Sequence, residues 1–354
     1  MNGFVDEPAA VREGEELDLG KLQGFLARAI PEASGELTVQ QFPQGYSNLT
    51  YLLKMGSLEM VLRRPPFGNE VKSAHDMSRE HRVLSKLCEV YSLAPRPLAY
   101  CEDDSVLGAP FYVMERRHGI ILRKRVPEGL DLSPNTMRQL SESFVDNLAR
   151  LHAIDYEAVG LGKLGKPDGF VERQVSGWTK RYERAATDEI ADMLSVADWL
   201  AQNRPTQSDA ALIHNDYKYD NIVLDANDPT QILAVLDWEM CTLGDPLLDL
   251  GCALAYWVQA DDDTRNLFNW GPTDLPGNLT RQEFMDRYAQ KTGRDLSQIL
   301  FFYCFGLFKL AVIVQQIYFR YAKGLTRDQR FAQLNHVVAN LSRAAMTSID
   351  RNRV

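Results

Sequence analysis

Between residues 212 and 239 two apolar runs enclose a polar loop, and this pattern narrows what the rest of the chain can build. Leu212-Ile213 leads into His214-Asn215-Asp216-Tyr217-Lys218-Tyr219-Asp220-Asn221 and then Ile222-Val223-Leu224. After a turn, Ile232-Leu233-Ala234-Val235-Leu236 ends in Asp237-Trp238-Glu239. Short apolar runs bounded by polar punctuation are strand signals. The spacing therefore predicts that Asp216, Asn221 and Asp237 converge at one edge of a small hairpin. An Asp, an Asn five residues on and a second Asp at a strand end suit phosphoryl transfer. One carboxylate orients an attacking hydroxyl, while an amide oxygen and the other carboxylate hold Mg²⁺ on the phosphates. Turn-forming residues beside a strand-ending Asp, with no chemistry, are the plain alternative; the spacing and the apolar flanks together weigh against it.

Around this island the periodicity divides the chain. Residues 1–16 are polar and acidic and read as a flexible tail. Asp18 caps an expected helix over 19–30, with Leu19, Leu22, Phe25, Leu26 and Ala29 at helical spacing. Strands are expected at 37–42, 50–55, 59–63, 97–101 and 110–115, and one long helix at 74–90. Residues 17–115 thus form a small lobe, a five-stranded antiparallel sheet carrying one long helix. Residues 116–120 form a hinge, and 121–354 a larger, mostly helical lobe. Its expected helices run over 134–153, 172–185, 187–202, 245–258, 280–291, 295–322 and 326–348. The fold class is α+β, two lobes with a cleft between them. The stretch 299–314 is apolar enough to pass for a membrane span. Lys309 interrupts it and Gln315-Gln316 closes it, which predicts a buried helix instead.

Charge and cysteine usage bound the partners. With 39 basic against 48 acidic residues the net charge is −9, which argues against nucleic-acid or anionic-membrane binding driven by bulk charge. The start MNGFVDEPAA lacks the charged-then-apolar order of a secretory leader, and the five cysteines form no Cys-x-x-Cys pair. Both read as a cytoplasmic, reducing environment. The six histidines show no zinc-ligand spacing.

His214-x-Asp216-x-x-x-x-Asn221 resembles the catalytic loop of the aminoglycoside phosphotransferase-like kinases, relatives of protein kinases and choline kinases. Asp237-Trp238-Glu239 stands where protein kinases have Asp-Phe-Gly. The resemblance covers residues 20–345. It is closest to a subgroup that occurs alone in bacteria or fused ahead of acyl-CoA dehydrogenases in animals. The segments that carry it are Val61-Leu62-Arg63-Arg64-Pro65-Pro66, the run from Asp237 to Pro246, and Arg173-Gln174-Val175 with Trp178. The resemblance implies a bilobal protein kinase-like fold and use of ATP and Mg²⁺. Asp216 becomes the catalytic residue, and Asn221 and Asp237 the metal ligands.

Further roles follow from the resemblance. The loop with Gly45, Ser47 and Asn48 lies over nucleotide phosphates, although on its own it reads better as a polar hairpin turn. Arg63 stands where kinases place a lysine, tied to Glu80 on the long helix; a purely structural ion pair is the other reading. Arg64 alternates to the opposite, solvated face. The strand 111–115 is expected at the sheet edge, with Met114 lining an adenine pocket or filling core, and backbone groups from Glu115 through Arg116 to Arg117 meeting the adenine edge. His214 supports the loop backbone. Asp245 caps a helix ahead of Pro246 and, with Asp249, braces the loop. Lys218 meets the γ-phosphate or solvent.

The acceptor is less legible. Asp261-Asp262-Asp263 is an acidic run, while Arg116-Arg117-His118 and Arg123-Lys124-Arg125 form a basic cluster; each also reads as a solvated face. Aromatic residues crowd 301–321, most as core. The favoured expectation is an ATP-dependent kinase of a small-molecule hydroxyl, by subgroup resemblance a hydroxy acid or hydroxyacyl-CoA. An aminoglycoside- or choline-type kinase with a cationic acceptor is one alternative. A nucleotide-binding pseudokinase is the other, with Arg63 in place of lysine. Protein kinase activity is not expected, because no Ala-Pro-Glu segment follows Asp237.

Overall fold

A computed structural model describes residues 7–42, 48–67, 76–124, 126–127, 129–130, 132–205, 209–262, 271–326 and 328–354. Asp18 accepts a hydrogen bond from the Lys21 amide and opens α1 (Leu19–Ala29), and Asp76 does the same for α2 (Met77–Leu87). Five antiparallel strands lie beside them: β1 (Leu37–Gln41), β2 (Leu49–Met55), β3 (Leu58–Arg64), β4 (Pro97–Cys101) and β5 (Phe111–Glu115), in spatial order β1-β2-β3-β5-β4. The β2–β3 hairpin turns on Gly56 at φ 58°, where a Cβ would sit 2.9 Å from the Ser34 carbonyl oxygen. A short helix not expected from the sequence, α3 (Asp104–Leu107), links β4 to β5.

Three expectations are corrected in this lobe. The strand Phe111–Glu115 lies inside the sheet, not at its edge: Phe111 to Met114 are all buried, and β4, opened by a proline that cannot donate, takes the edge. The described part of the supposed tail is pinned to the sheet, with an Ala9–Gln41 bridge and a bond from the Tyr51 hydroxyl to the Glu15 carbonyl at 2.8 Å. Arg64 is 2% exposed rather than solvated; its guanidinium lies 3.5 Å from the centre of the Phe67 ring and donates to the Pro65 carbonyl.

The larger lobe begins with α4 (Pro134–His152), capped by Ser133 with proline at the first turn. It continues through α5 (Phe170–Ala185) and α6 (Ala191–Gln202) to β6 (Ala211–Ile213), β7 (Ile222–Leu224), β8 (Ile232–Val235) and β9 (Thr242–Gly244). Then come α7 (Pro246–Tyr256), α8 (Arg281–Thr292), α9 (Ile299–Ala322) and α10 (Leu334–Arg351). The single expected hairpin is in fact two ribbons: β7 pairs with β8, while β6 pairs with β9. Asp237 takes a left-handed φ of 65° and starts a 3₁₀ turn at Trp238–Met240, which redirects the chain so that β9 returns along β6. The last helix starts at Leu334, not 326, after a 3₁₀ turn at Gln329–Phe331.

Helix α9 is long and apolar enough to cross a membrane, but 78% of its apolar window is buried inside the protein. Two apolar clusters hold the whole together. One fills the space between α1 and the outer face of the sheet. The other runs from Val61, Tyr112 and Met114 of the sheet, past α2, into the helical lobe, so the lobes share a core.

Candidate active site

The polar loop between β6 and β7 is held from behind by α7. Asp249 accepts the amides of His214 at 2.8 Å and Asn215 at 2.7 Å, and its carboxylate also meets His152 Nε2 at 3.1 Å. His152 in turn meets the Tyr288 hydroxyl through Nδ1 at 2.7 Å. Burial alone would raise the Asp249 carboxyl, but its bond to His152 and the neighbouring imidazole and amide groups hold it below the usual carboxylate range. The Asp245 side chain caps α7 through the Leu247 amide. His214 donates from Nε2 to the Leu236 carbonyl at 2.9 Å and accepts the Asp216 amide at Nδ1, tying the loop to the end of β8.

This backing presents Asp216. Its Oδ1 accepts the Tyr256 hydroxyl at 2.8 Å, and its Oδ2 accepts Lys218 Nζ and Asn221 Nδ2, each at 2.9 Å. Asn221 Nδ2 also donates to the Asp216 carbonyl at 2.8 Å. Burial pushes the Asp216 carboxyl up, but the Lys218 ammonium together with Lys309 and His214 outweighs it and leaves the group below its usual range, hence ionised at neutral pH. Lys218 therefore faces Asp216 rather than solvent.

Across the cleft, Arg63 at the end of β3 gathers three carboxylates: Glu80 at 2.5 Å, Asp237 at 3.0 Å and Glu239 at 3.4 Å. Glu80, 1% exposed, also accepts the Trp238 amide at 3.2 Å, so α2 is joined to the segment after β8. Asn48 reaches the same place, its Nδ2 donating to Glu239 at 2.6 Å. Gly45 and Ser47 lie outside the described residues. Met114 is buried next to Val61 on the cleft side of the sheet. The Glu115 amide is committed to the Arg96 carbonyl at 2.9 Å, which takes it out of the groups available to an adenine edge. The Arg116 side chain pairs with Glu59.

The residues present fit Mg²⁺. Asn221 uses its amide nitrogen on Asp216, which leaves the oxygen, the atom a hard cation takes. Asp237 is 34% exposed and has only Oδ1 on Arg63. One amide oxygen and one carboxylate suit an ion that shares its shell with phosphates and water, rather than an all-protein cage. No group of three or more His, Cys, Asp or Glu that could hold a metal occurs among the described residues.

Behind Lys218 and Tyr256, the residues Phe144, Tyr219, Trp257 and Thr273 close a cavity of about 10 Å³, room for one water molecule. Lys218 Nζ lies 5.0 Å from the centre of the Tyr256 ring. Several residues of the charged runs singled out in the sequence are paired at home, while Arg125 and Asp263 lie outside the described residues. Asp262 takes a two-pronged bond from Arg281, Arg116 and His118 share Glu59, Arg117 pairs with Glu115, and Arg123 with Asp220. Tyr256, Lys309 and Glu239 are site residues that the sequence reading did not assign. Tyr256 follows Asp249 by seven residues on α7, two turns along one face, and this spacing was a usable signal.

A family model described as the phosphotransferase enzyme family matches residues 38–289. The chain belongs to that family. The chain is 35% identical over 326 residues to acyl-CoA dehydrogenase family member 11 of Gallus gallus, covering 89% of the chain and 41% of the relative. It thus spans about two fifths of the length of that relative. A Ralstonia eutropha protein provisionally named as an aminoglycoside phosphotransferase has a crystal structure with TM-score 0.81 and 29% identity, covering 95% of this chain and 99% of that one. A thermostable mutant of the aminoglycoside phosphotransferase APH(4)-Ia, in a ternary complex with ADP and hygromycin B, matches with TM-score 0.59 at 14% identity over 94% and 98% of the two chains. The likeness to that complex shows the fold, and the α+β, kinase-like class read from the sequence is the observed one.

Proposed function

We propose that this phosphotransferase transfers the γ-phosphoryl group of Mg²⁺-ATP to a hydroxyl of a small molecule, with Asp216 as the catalytic residue. One observation carries the reading: Asp216 is fixed by Tyr256, Lys218 and Asn221 opposite a separate Arg63–Glu80–Asp237 cluster. One group faces an acceptor and the other a nucleotide. Asp216 orients the acceptor hydroxyl and takes its proton as the oxygen–phosphorus bond forms and ADP leaves. The transition state of phosphoryl transfer is loose, so positioning and charge neutralisation supply most of the rate gain. Mg²⁺ on Asn221 and Asp237 would neutralise phosphate charge, and Arg63 would add a fixed positive charge beside it. ADP bound in the structurally similar aminoglycoside enzyme supports an adenine nucleotide as donor.

The acceptor we favour is a hydroxy acid or a hydroxyacyl-CoA. The groups that flank Asp216 are the Tyr256 hydroxyl and the Lys218 ammonium, which stands over the Tyr256 ring, so this side of the site presents a positive charge. The paired Asp262 offers no open carboxylate to a polycationic sugar or to choline. Relatedness to acyl-CoA dehydrogenase family members agrees with this choice. Steady-state turnover of Mg²⁺-ATP, measured with hydroxy acids, hydroxyacyl-CoAs, aminoglycosides and choline in turn, tests both parts. Stimulation by a hydroxy acid or hydroxyacyl-CoA supports the reading. Stimulation by aminoglycosides or choline alone replaces the acceptor. Nucleotide binding with no turnover for any acceptor makes the chain a pseudokinase.

A further inference from the structure

Lys309 is the one charged residue in the middle of an apolar helix. Phe305, Phe308, Leu310, Ala311 and Val312 around it are all buried, and Lys309 itself is 5% exposed, so its ammonium cannot reach bulk water. Among the described residues no carboxylate stands within ion-pair distance of it. Such an unpaired buried cation is costly to a fold, and an apolar residue would pack in its place. Its donors go to one residue: Nζ lies 2.7 Å from the Asn215 carbonyl oxygen and 2.8 Å from Asn215 Oδ1. Cys252 Sγ lies 3.8 Å away and the Trp178 ring 5.7 Å, and the Lys309 charge also reaches the Asp216 carboxylate beyond ion-pair distance. Asn215 has φ 68°, the left-handed region that asparagine enters more readily than most side chains, and the next residue is Asp216.

We propose that Lys309 is a positioning residue for phosphoryl transfer: it clamps the left-handed turn at Asn215 from α9 and so fixes where Asp216 is presented. Asp249 on α7 holds the amide of Asn215, and Lys309 on α9 holds its carbonyl and side chain. The turn is gripped on both faces by two helices. The proposal rests on Asp216 being the catalytic residue, so its test needs a readout that does not depend on turnover.

Lys309→Met keeps the length and apolar body of the side chain and deletes its donors. We expect kcat to fall about 10- to 100-fold with the KM for ATP nearly unchanged, as for a small misplacement of the reacting group. Amide hydrogen exchange across 213–217 should quicken about tenfold, while exchange in β1–β3 stays at the wild-type rate. Asn215→Gly keeps the left-handed backbone without the amide oxygen. It should lower kcat in the wild-type background and add little in Lys309→Met. Wild-type exchange in the loop of Lys309→Met, or a changed melting temperature with kcat unchanged, overturns the proposal. If Lys309→Met fails to fold, loop exchange in Asn215→Gly decides in its place: quickening supports the clamp and a wild-type rate overturns it. A wild type that turns over no acceptor defeats the functional reading, and loop exchange still decides the role of Lys309.

Discussion

Asp249 shows how one buried residue links stability to chemistry. Its carboxylate holds two backbone amides of the catalytic loop and His152, with no exposure to solvent. Asp249→Asn puts an amide where three donors converge, and we expect a loss of about 3–5 kcal/mol in urea unfolding, the scale for breaking a buried charged network. The pH dependence has a definite sign. The carboxyl is depressed in the fold, so it contributes stability above its unfolded pKa of about 4 and loses it as pH falls further, toward the lower folded value. Wild-type stability should therefore drop below about pH 4 more steeply than that of Asp249→Asn. Parallel acid titrations of the two proteins would contradict this. At this scale the sequence was readable where a residue acts near its own position: the Asp18, Ser133 and Asp245 caps, and the spacing of Asp216 and Asn221. It was unreadable where the partner is distant. Arg64 alternates with Arg63 as expected, yet the face it joins is covered by Tyr51 and the segment around Glu15, so it is buried. Lys309 reads locally as a break in an apolar run, and only the fold brings it to Asn215, 94 residues away.

Among the elements, the crossing of α7 and α9 sets the geometry of the loop that carries Asp216. The two helices meet at Gly251 and Gly306. A Cβ on Gly251 would lie 2.3 Å from the Phe302 carbonyl, and one on Gly306 would lie 2.5 Å from the Gly251 oxygen. The close approach brings Asp249 and Tyr256 of α7 and Lys309 of α9 onto one loop. Gly251→Ala should destabilise by about 1–3 kcal/mol through overpacking, and lower kcat as well because it separates the two grips. A variant with reduced melting temperature but wild-type kcat would show that the crossing serves packing alone. Strand positions were legible from apolar alternation and turn residues, but strand order was not. Pairing of β6 with β9, and the inner place of β5, depend on long-range contacts that a local pattern does not carry.

On the scale of the whole molecule, the lobes are joined at the points a nucleotide would touch. Asn48 bonds to Glu239, Arg63 to Asp237 and Glu239, Glu80 to the Trp238 amide, and Arg79 to the Cys241 carbonyl at 2.9 Å. A nucleotide bound among these groups stabilises both lobes at once. Saturating Mg²⁺-ATP, at about 100 times its dissociation constant, should add about 2.7 kcal/mol and raise the melting temperature. Asp237→Ala should lose this shift and Asp216→Ala should keep it. These two carboxylates thus divide the labour, Asp237 toward the nucleotide and Asp216 toward the acceptor. This division is tested most directly by following the γ-phosphoryl group of labelled ATP in wild type and Asp216→Ala, with the best acceptor of the panel and at matched nucleotide occupancy. A labelled acceptor is expected from the wild type and none from Asp216→Ala, although the variant still binds Mg²⁺-ATP. Transfer by Asp216→Ala at the wild-type rate would contradict this division.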